Sequence, residues 1–192
     1  MKYCSTCGQQ VEQKIPAGDN RYRYVCVSCE TIHYQNPRII AGTVPVWDGK
    51  ILLCRRAIEP RYGYWTLPAG FMENAETTIE AAARETLEEA LAEVTIDGLY
   101  SIIDVPHINQ VHMFYRATLI DGSFGAGEES LESRLFAADE IPWDEISFPT
   151  VKKTLEYFLS EMESGNYGLH ITDIRPRPSK SVTHKASSRN TS

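Results

Sequence analysis

Between Arg38 and Arg56 the chain reads RIIAGTVPVWDGKILLCRR, two apolar runs separated by Asp48-Gly49. A two-residue Asp-Gly link between such runs predicts a β-hairpin with a type I′ turn, whose central residues both take positive φ. WTLPAG (65–70) predicts a short strand and a Gly/Pro loop, VTIDGLYSIIDV and NQVHMFYRATLI two further strands, and RLFAADEI a short strand running into a turn. Elsewhere the apolar period lengthens. Residues 77–91 predict a helix opened by a Thr77-x-x-Glu80 capping box. TVKKTLEYFLSEME (150–163) predicts a closing amphipathic helix with Leu155, Phe158, Leu159 and Met162 on one face. Strands and helices in this order predict an α/β fold, a mixed sheet with helices packed on it.

On the first helix, at about 100° per residue, Glu85, Glu88 and Glu89 share one side, bordered by Ala81, Ala82 and Ala92. Ile79, Ala83, Thr86, Leu87, Ala90 and Leu91 fall opposite and form the face expected to meet a sheet. Glu85 repels both Glu88 and Glu89, each pair costing on the order of a few tenths of a kcal/mol. Two arrangements answer that repulsion. A hard cation such as Mg²⁺ or Mn²⁺ takes carboxylate ligands and completes its shell with phosphate oxygens; alternatively the face is solvated and Arg84 pairs with Glu80 or Glu88.

The N-terminal segment carries Cys4, Cys7, Cys26 and Cys29, two CxxC pairs with eighteen residues between them. Two such knuckles present four thiolates to one tetrahedral Zn²⁺, which can organise a segment too small for its own core. The competing reading is a pair of redox dithiols. Four cysteine ligands leave no open position for catalysis, so the zinc is expected to be structural. Cys54, inside ILLC, is expected in the core. The five histidines show no ligand spacing and are read as structural or exposed.

The bulk composition is that of an ordinary globular protein. The 192 residues are 42% hydrophobic and 23% charged, with a net charge of −7 that argues against broad binding of nucleic-acid backbone. No run reaches the roughly eighteen apolar residues of a membrane span, and MKYCSTCGQQ lacks a signal-peptide core, so a cytoplasmic location is expected. The boundaries follow as a zinc ribbon over 1–36, a main domain over 37–165 and a basic, disordered tail over 166–192 containing Arg175, Arg177, Lys180, Lys185 and Arg189.

Gly70, Glu76, Arg84, Glu85, Glu88 and Glu89 stand at the spacing Gly-x5-Glu-x7-Arg-Glu-U-x-Glu-Glu-x-Gly-U, with U apolar. This resembles the box of the Nudix hydrolases, with two departures: Thr86 replaces the first apolar residue and Leu91 the final glycine. Without that glycine the helix end is expected to run on or turn differently. The four-cysteine ribbon, YQNP, LLCRR, WTLPAG and ESLESRLFAADEIP extend the resemblance over roughly residues 1 to 165, toward the zinc-ribbon-bearing group that includes plant chloroplast FAD/ADP-ribose diphosphatases.

The resemblance implies a Nudix α/β/α sandwich and hydrolysis of a nucleoside diphosphate linked to another moiety, with Mg²⁺ or Mn²⁺. It implies metal binding by Glu85, Glu88, Glu89 and the Gly70 carbonyl, and stabilisation of the loop-helix-loop by Glu76 with Arg84. The general base is either a box glutamate or a loop residue, Glu132 or Glu129 being favoured over Glu128 as an added ligand or base. Of Arg55 and Arg56, which alternation sends to opposite faces, one is expected to meet the phosphates. Trp65, Tyr64, Tyr34 and Phe71 are candidates for stacking on a substrate ring, against the core, where such residues are found more often. Pro106 lies near where ADP-ribose-cleaving relatives carry a proline, although it also suits a strand end, and the SQPWPFPxS signature of NADH diphosphatases is absent. ADP-ribose or FAD is therefore the expected substrate. Homodimerisation is implied by the same relatives and by nothing in the sequence itself. The alternatives are a non-catalytic Nudix-fold module that senses a nucleotide or binds protein or nucleic acid, and an enzyme clearing damaged nucleoside triphosphates.

Overall fold

The computed structural model describes residues 1–176, in two compact units, Met1–Arg38 and a second beginning at Ile39. In the first, β1 (Val11–Lys14), β2 (Arg23–Cys26) and β3 (Ile32–His33) form an antiparallel sheet in that order. Cys26 ends β2, and Cys4, Cys7 and Cys29 lie in the segments that flank the strands.

The second unit is built on β4 (Arg38–Trp47), β5 (Lys50–Arg56), β6 (Trp65–Thr66), β7 (Ala69–Phe71), α1 (Thr78–Ala90), β8 (Val94–Val105), β9 (Gln110–Leu119), β10 (Ser130–Phe136), α2 (Pro149–Met162) and β11 (His170–Asp173). Asp48 and Gly49 turn β4 into β5 with φ of 47° and 70°, as the hairpin reading requires. The sheet order is β10-β5-β4-β9-β8-β11, with β6 paired to β5 and β7 to β4. It is mixed, since β11 runs parallel to β8 while β9 runs antiparallel to it.

Strand β5 shows why two helix layers are needed. Ile51, Leu52, Leu53 and Cys54 are all buried, and alternation divides them. Ile51 and Leu53 join Val44, Phe114, Leu155 and Phe158 in the core beneath α2, whereas Leu52 and Cys54 pack with Ala90 and Leu119 beside α1.

Three expectations need correcting. Helix α1 buries Thr86 and Ala90 of the expected face, but with them Ala81, Ala82 and Glu89, while Ile79, Leu87 and Leu91 are exposed, so small residues and one box glutamate, not the larger apolar side chains, meet the sheet. The alanines allow a close approach. The helix does not run on past the missing glycine: it ends at Ala90, and Leu91 itself takes the left-handed conformation at φ 46°. Residues 166–176 are also structured, against the expected disordered tail. Tyr167 stacks on Phe158 at 5.0 Å, His170 on Tyr157 at 4.0 Å, and His170–Asp173 pair with Ser101–Asp104. Aromatic contacts to α2 offset the ordering entropy there, a gain that the Pro/Ser/Lys-rich composition further along does not reveal. The remaining expected tail, with Arg177, Lys180, Lys185 and Arg189, lies outside the described residues.

Candidate active site and zinc ribbon

Helix α1 begins where the sequence places it. The Thr77 hydroxyl accepts from the N–H of Glu80 at 3.2 Å, and Glu80 Oε2 accepts from the N–H of Thr77 at 2.7 Å. Ahead of the cap, Glu76 accepts from the N–H of Glu73 at 2.6 Å and meets Arg84 through two bonds of 3.0 and 2.7 Å. These bonds, Arg84's foremost, lower the Glu76 pKa to about 2. Arg84 also donates to the Phe71 carbonyl at 3.2 Å, to Glu85 at 2.8 Å and to Glu88 at 3.0 Å. One guanidinium thus ties the loop before the helix to two of the three box glutamates.

The third, Glu89, is buried with 6% of its surface exposed, and its Oε2 accepts from the N–H of Ala69 at 3.1 Å. Burial pushes its pKa up to about 8 despite that bond, and the charges of Glu85 and Glu129 push the same way. Burial likewise raises Glu85. Gly70 packs so closely on the Glu85 carboxylate that a Cβ there would overlap it and push the carboxylate aside.

Glu129 raises the pKa of both Glu85 and Glu89, and Glu85 that of Glu89; such clustered carboxylates form an all-oxygen donor set that fits Mg²⁺ or Mn²⁺. Among the described residues, however, the cysteine quartet is the group whose ligand atoms already converge. Arg84 holds oxygens of Glu85 and Glu88, and Ala69 holds one of Glu89. A cation would use their other oxygens or displace these bonds.

The 121–129 loop closes the far end of α1. Gly125 and Gly127 donate N–H bonds of 2.7 and 3.1 Å to the carbonyls of Ala90 and Glu89, satisfying helix-end acceptors. The carbonyl of Glu129 accepts from the N–H of Ala57 at 2.8 Å, and its carboxylate lies near enough to Glu85 and Glu89 to act on both. Glu132 stands in register opposite Arg55 on β5, exposed, as Glu128 is. The fold therefore favours Glu129 among the loop candidates.

Arg56 is buried, with Nε donating to the Pro60 carbonyl at 3.0 Å and its guanidinium 5.2 Å from the centre of the Phe148 ring. Its charge acts on Glu89, whereas Arg55 donates to the Gly63 carbonyl at 2.9 Å. Trp65 corrects the stacking expectation: it is 6% exposed, edge-on to Phe136 at 4.8 Å and part of the core beneath α2. Tyr34 lies 5.0 Å from the Arg23 guanidinium and Phe71 is exposed. Pro106 ends β8 and opens an exposed 3₁₀ turn over Pro106–Ile108.

In the ribbon, all four Sγ atoms lie within 4.8 Å of one another, Cys4 to Cys29 at 3.7 Å and Cys7 to Cys26 at 3.4 Å. Tetrahedral Zn–S bonds of about 2.3 Å put sulfurs about 3.8 Å apart, so the quartet fits Zn²⁺. The N–H of Thr6 donates to Cys4, and those of Ser28 and Cys29 to Cys26, each at 3.4 Å. Nε2 of His33 lies 3.3 Å from Cys4 Sγ, a contact that the absence of a histidine ligand pattern had concealed. Sequence reasoning likewise missed the N–H of Ala69 and the loop glycines, because backbone donors carry no side-chain signal.

Residues 36–158 match the NUDIX domain, and residues 2–35 match the zinc-ribbon family described as Nudix N-terminal. The chain belongs to the Nudix hydrolase family. This Nudix hydrolase is similar to a NUDIX hydrolase of Nitrosomonas europaea whose crystal structure superposes with a TM-score of 0.88 at 52% identity, covering 91% of this chain and 99% of that one. It is 32% identical over 113 residues to an ADP-ribose pyrophosphatase of Methanocaldococcus jannaschii, covering 57% of this chain and 67% of that one. It is also 34% identical over 99 residues to NAD-capped RNA hydrolase NudC of Vibrio atlanticus, covering 50% of this chain and 34% of that relative's length. No helix among the described residues is long and apolar enough to cross a membrane.

Proposed function

We propose that the chain hydrolyses the diphosphate of a nucleoside diphosphate linked to a second moiety, with ADP-ribose or FAD as substrate. The observation that carries this reading is the buried carboxylate of Glu89, set beside Glu85 and against the 69–70 backbone. Glu85, Glu88, Glu89 and the Gly70 carbonyl would hold Mg²⁺ or Mn²⁺, and Cys4, Cys7, Cys26 and Cys29 a structural Zn²⁺. When bound, the divalent cation supplies charge neutralisation at the phosphates and acidifies water.

A phosphoanhydride is protected by its own negative charge, so hydrolysis needs a positioned water, a proton acceptor and cationic donors. Arg56 supplies a guanidinium near Glu89 for a phosphate oxygen. Glu129, exposed at the rim, is placed to accept the proton of the attacking water; Glu89, with its raised pKa, is the alternative acceptor. Water adds to one phosphorus as the anhydride P–O bond breaks, giving AMP and ribose 5-phosphate from ADP-ribose, or AMP and FMN from FAD. Arg84 and Glu76 hold the helix without touching substrate.

The name of the Methanocaldococcus relative supports ADP-ribose, and the likeness to plant diphosphatases supports FAD. A second reading, the 5′ end of a capped RNA, is favoured by the NudC relatives and sets aside the expectation of no nucleic-acid partner. A panel of ADP-ribose, FAD, NADH and an NAD-capped oligonucleotide, assayed with Mg²⁺ or Mn²⁺, tests the proposal. Release of AMP from ADP-ribose or FAD supports it; turnover of the oligonucleotide alone transfers support to the second reading. No metal-dependent cleavage of any substrate leaves a nucleotide-sensing module instead.

A further inference from the structure

Thr86 occupies the box position that the family pattern fills with an apolar residue. It is fully buried, as is Thr43 on β4, and the two Oγ1 atoms are 2.7 Å apart. Thr86 Oγ1 also donates to the Ala82 carbonyl at 2.7 Å. A hydroxyl has one proton to give. With that of Thr86 committed to Ala82, the proton between the threonines belongs to Thr43, and Thr86 accepts it.

Thr43 also reaches the opposite wall of the candidate site. Its N–H donates to the Pro68 carbonyl at 3.1 Å, and a Cβ on the preceding Gly42 would overlap Pro68 and Ala69, so β4 and the 68–70 segment are in direct backbone contact. In that segment the N–H of Ala69 bonds Glu89, and Gly70 touches Glu85. Thr43 is therefore linked to the loop wall through its backbone and to the helix wall through its side chain. The N-terminal half of α1 has a separate tie, Thr78 to the Tyr115 hydroxyl at 2.6 Å. The Thr43–Thr86 pair lies beside the glutamates.

We propose that Thr43 and Thr86 are positioning residues, a buried hydroxyl pair that fixes the spacing between the 68–70 segment and the Glu85/Glu89 helix and thereby sets the affinity of the divalent-cation site. This rests on the cation-site reading above. The hydrogen-bond direction makes the pair asymmetric. Removing the Thr43 hydroxyl leaves Thr86 bonded to its own helix, whereas removing the Thr86 hydroxyl strands a buried donor on Thr43.

The test is Mn²⁺ binding to the full, substrate-free chain, followed by the paramagnetic resonance of free Mn²⁺, alongside urea unfolding. Thr43→Ser keeps the donor and is expected to bind as wild type does. Thr86→Val is expected to weaken binding about tenfold, Thr43→Val to weaken it less, and the double valine variant, which lacks the tie but strands no donor, to bind about as weakly as Thr43→Val. A purely structural pair would lower the unfolding midpoint and leave Mn²⁺ affinity unchanged, and that result overturns the proposal. If Thr86→Val does not fold, Thr43→Val binding more weakly than Thr43→Ser supports the proposal and equal binding overturns it. Wild-type protein that binds no Mn²⁺, or Glu85→Gln protein that binds it equally well, overturns the cation-site reading itself.

Discussion

The N–H of Ala69 donates to Oε2 of the buried Glu89 at 3.1 Å, joining the residue just before the box to the last glutamate within it. The bond orients a carboxylate that helical spacing places on α1 without specifying which way it points.

Glu89 links stability to pH. Its folded pKa of about 8 exceeds the free value of about 4.3, so proton binding stabilises the native state below about pH 4 and that contribution is lost as pH rises through 8. In chelator, the stability of Glu89→Gln relative to wild type should increase over that window, by on the order of a few kcal/mol. Urea unfolding at several pH values measures it; equal pH slopes for the two proteins would contradict the burial argument.

Glu85→Gln should abolish metal-dependent AMP release while leaving the far-UV spectrum and unfolding midpoint near those of wild type. Turnover within a few-fold of wild type would remove Glu85 from the proposed cation site.

Arg84 spans Glu76, Glu85 and Glu88 with a planar fork that lysine cannot reproduce. Arg84→Lys should lower both the unfolding midpoint and Mn²⁺ affinity. Glu76, held near a pKa of about 2 mainly by Arg84, contributes stability above about pH 4 that is lost as pH falls toward 2. Glu76→Gln should erase that acid-side loss, as unfolding between pH 2 and 5 will show.

Trp65 is a core residue, so Trp65→Ala should cost about 3–5 kcal/mol. Trp65→Phe should leave the KM for ADP-ribose within twofold or so of wild type, because the indole meets Phe136 and not the substrate. A large rise in KM with unchanged stability would restore it to the binding surface.

Truncation tests the contacts of the C-terminal segment. Compared with a chain ending after Pro176, one ending after Ser164 loses Tyr167 and His170 from Phe158, Tyr100 and Tyr157 and should have an unfolding midpoint lower by several degrees. Identical midpoints would show that these contacts contribute nothing to folding.

Local chemistry made several elements legible in the sequence itself. Asp48-Gly49 specifies a tight turn through backbone sterics, Thr77 and Glu80 specify a helix start three residues apart, and the two CxxC knuckles present their thiols from adjacent turns. The box spacing likewise places Glu85, Glu88 and Glu89 on one helix. Tertiary structure decided what those elements face. Close approach between α1 and the sheet selected alanine, threonine and a hydrogen-bonded glutamate for burial and left Ile79 and Leu87 outside. A hydrophobic period cannot register that choice, because it ranks side chains by apolarity and not by the distance at which two backbones pack. Glu129 next to the cluster, Trp65 in the core and β11 on the sheet edge share one cause: each is set by contacts between segments far apart in sequence.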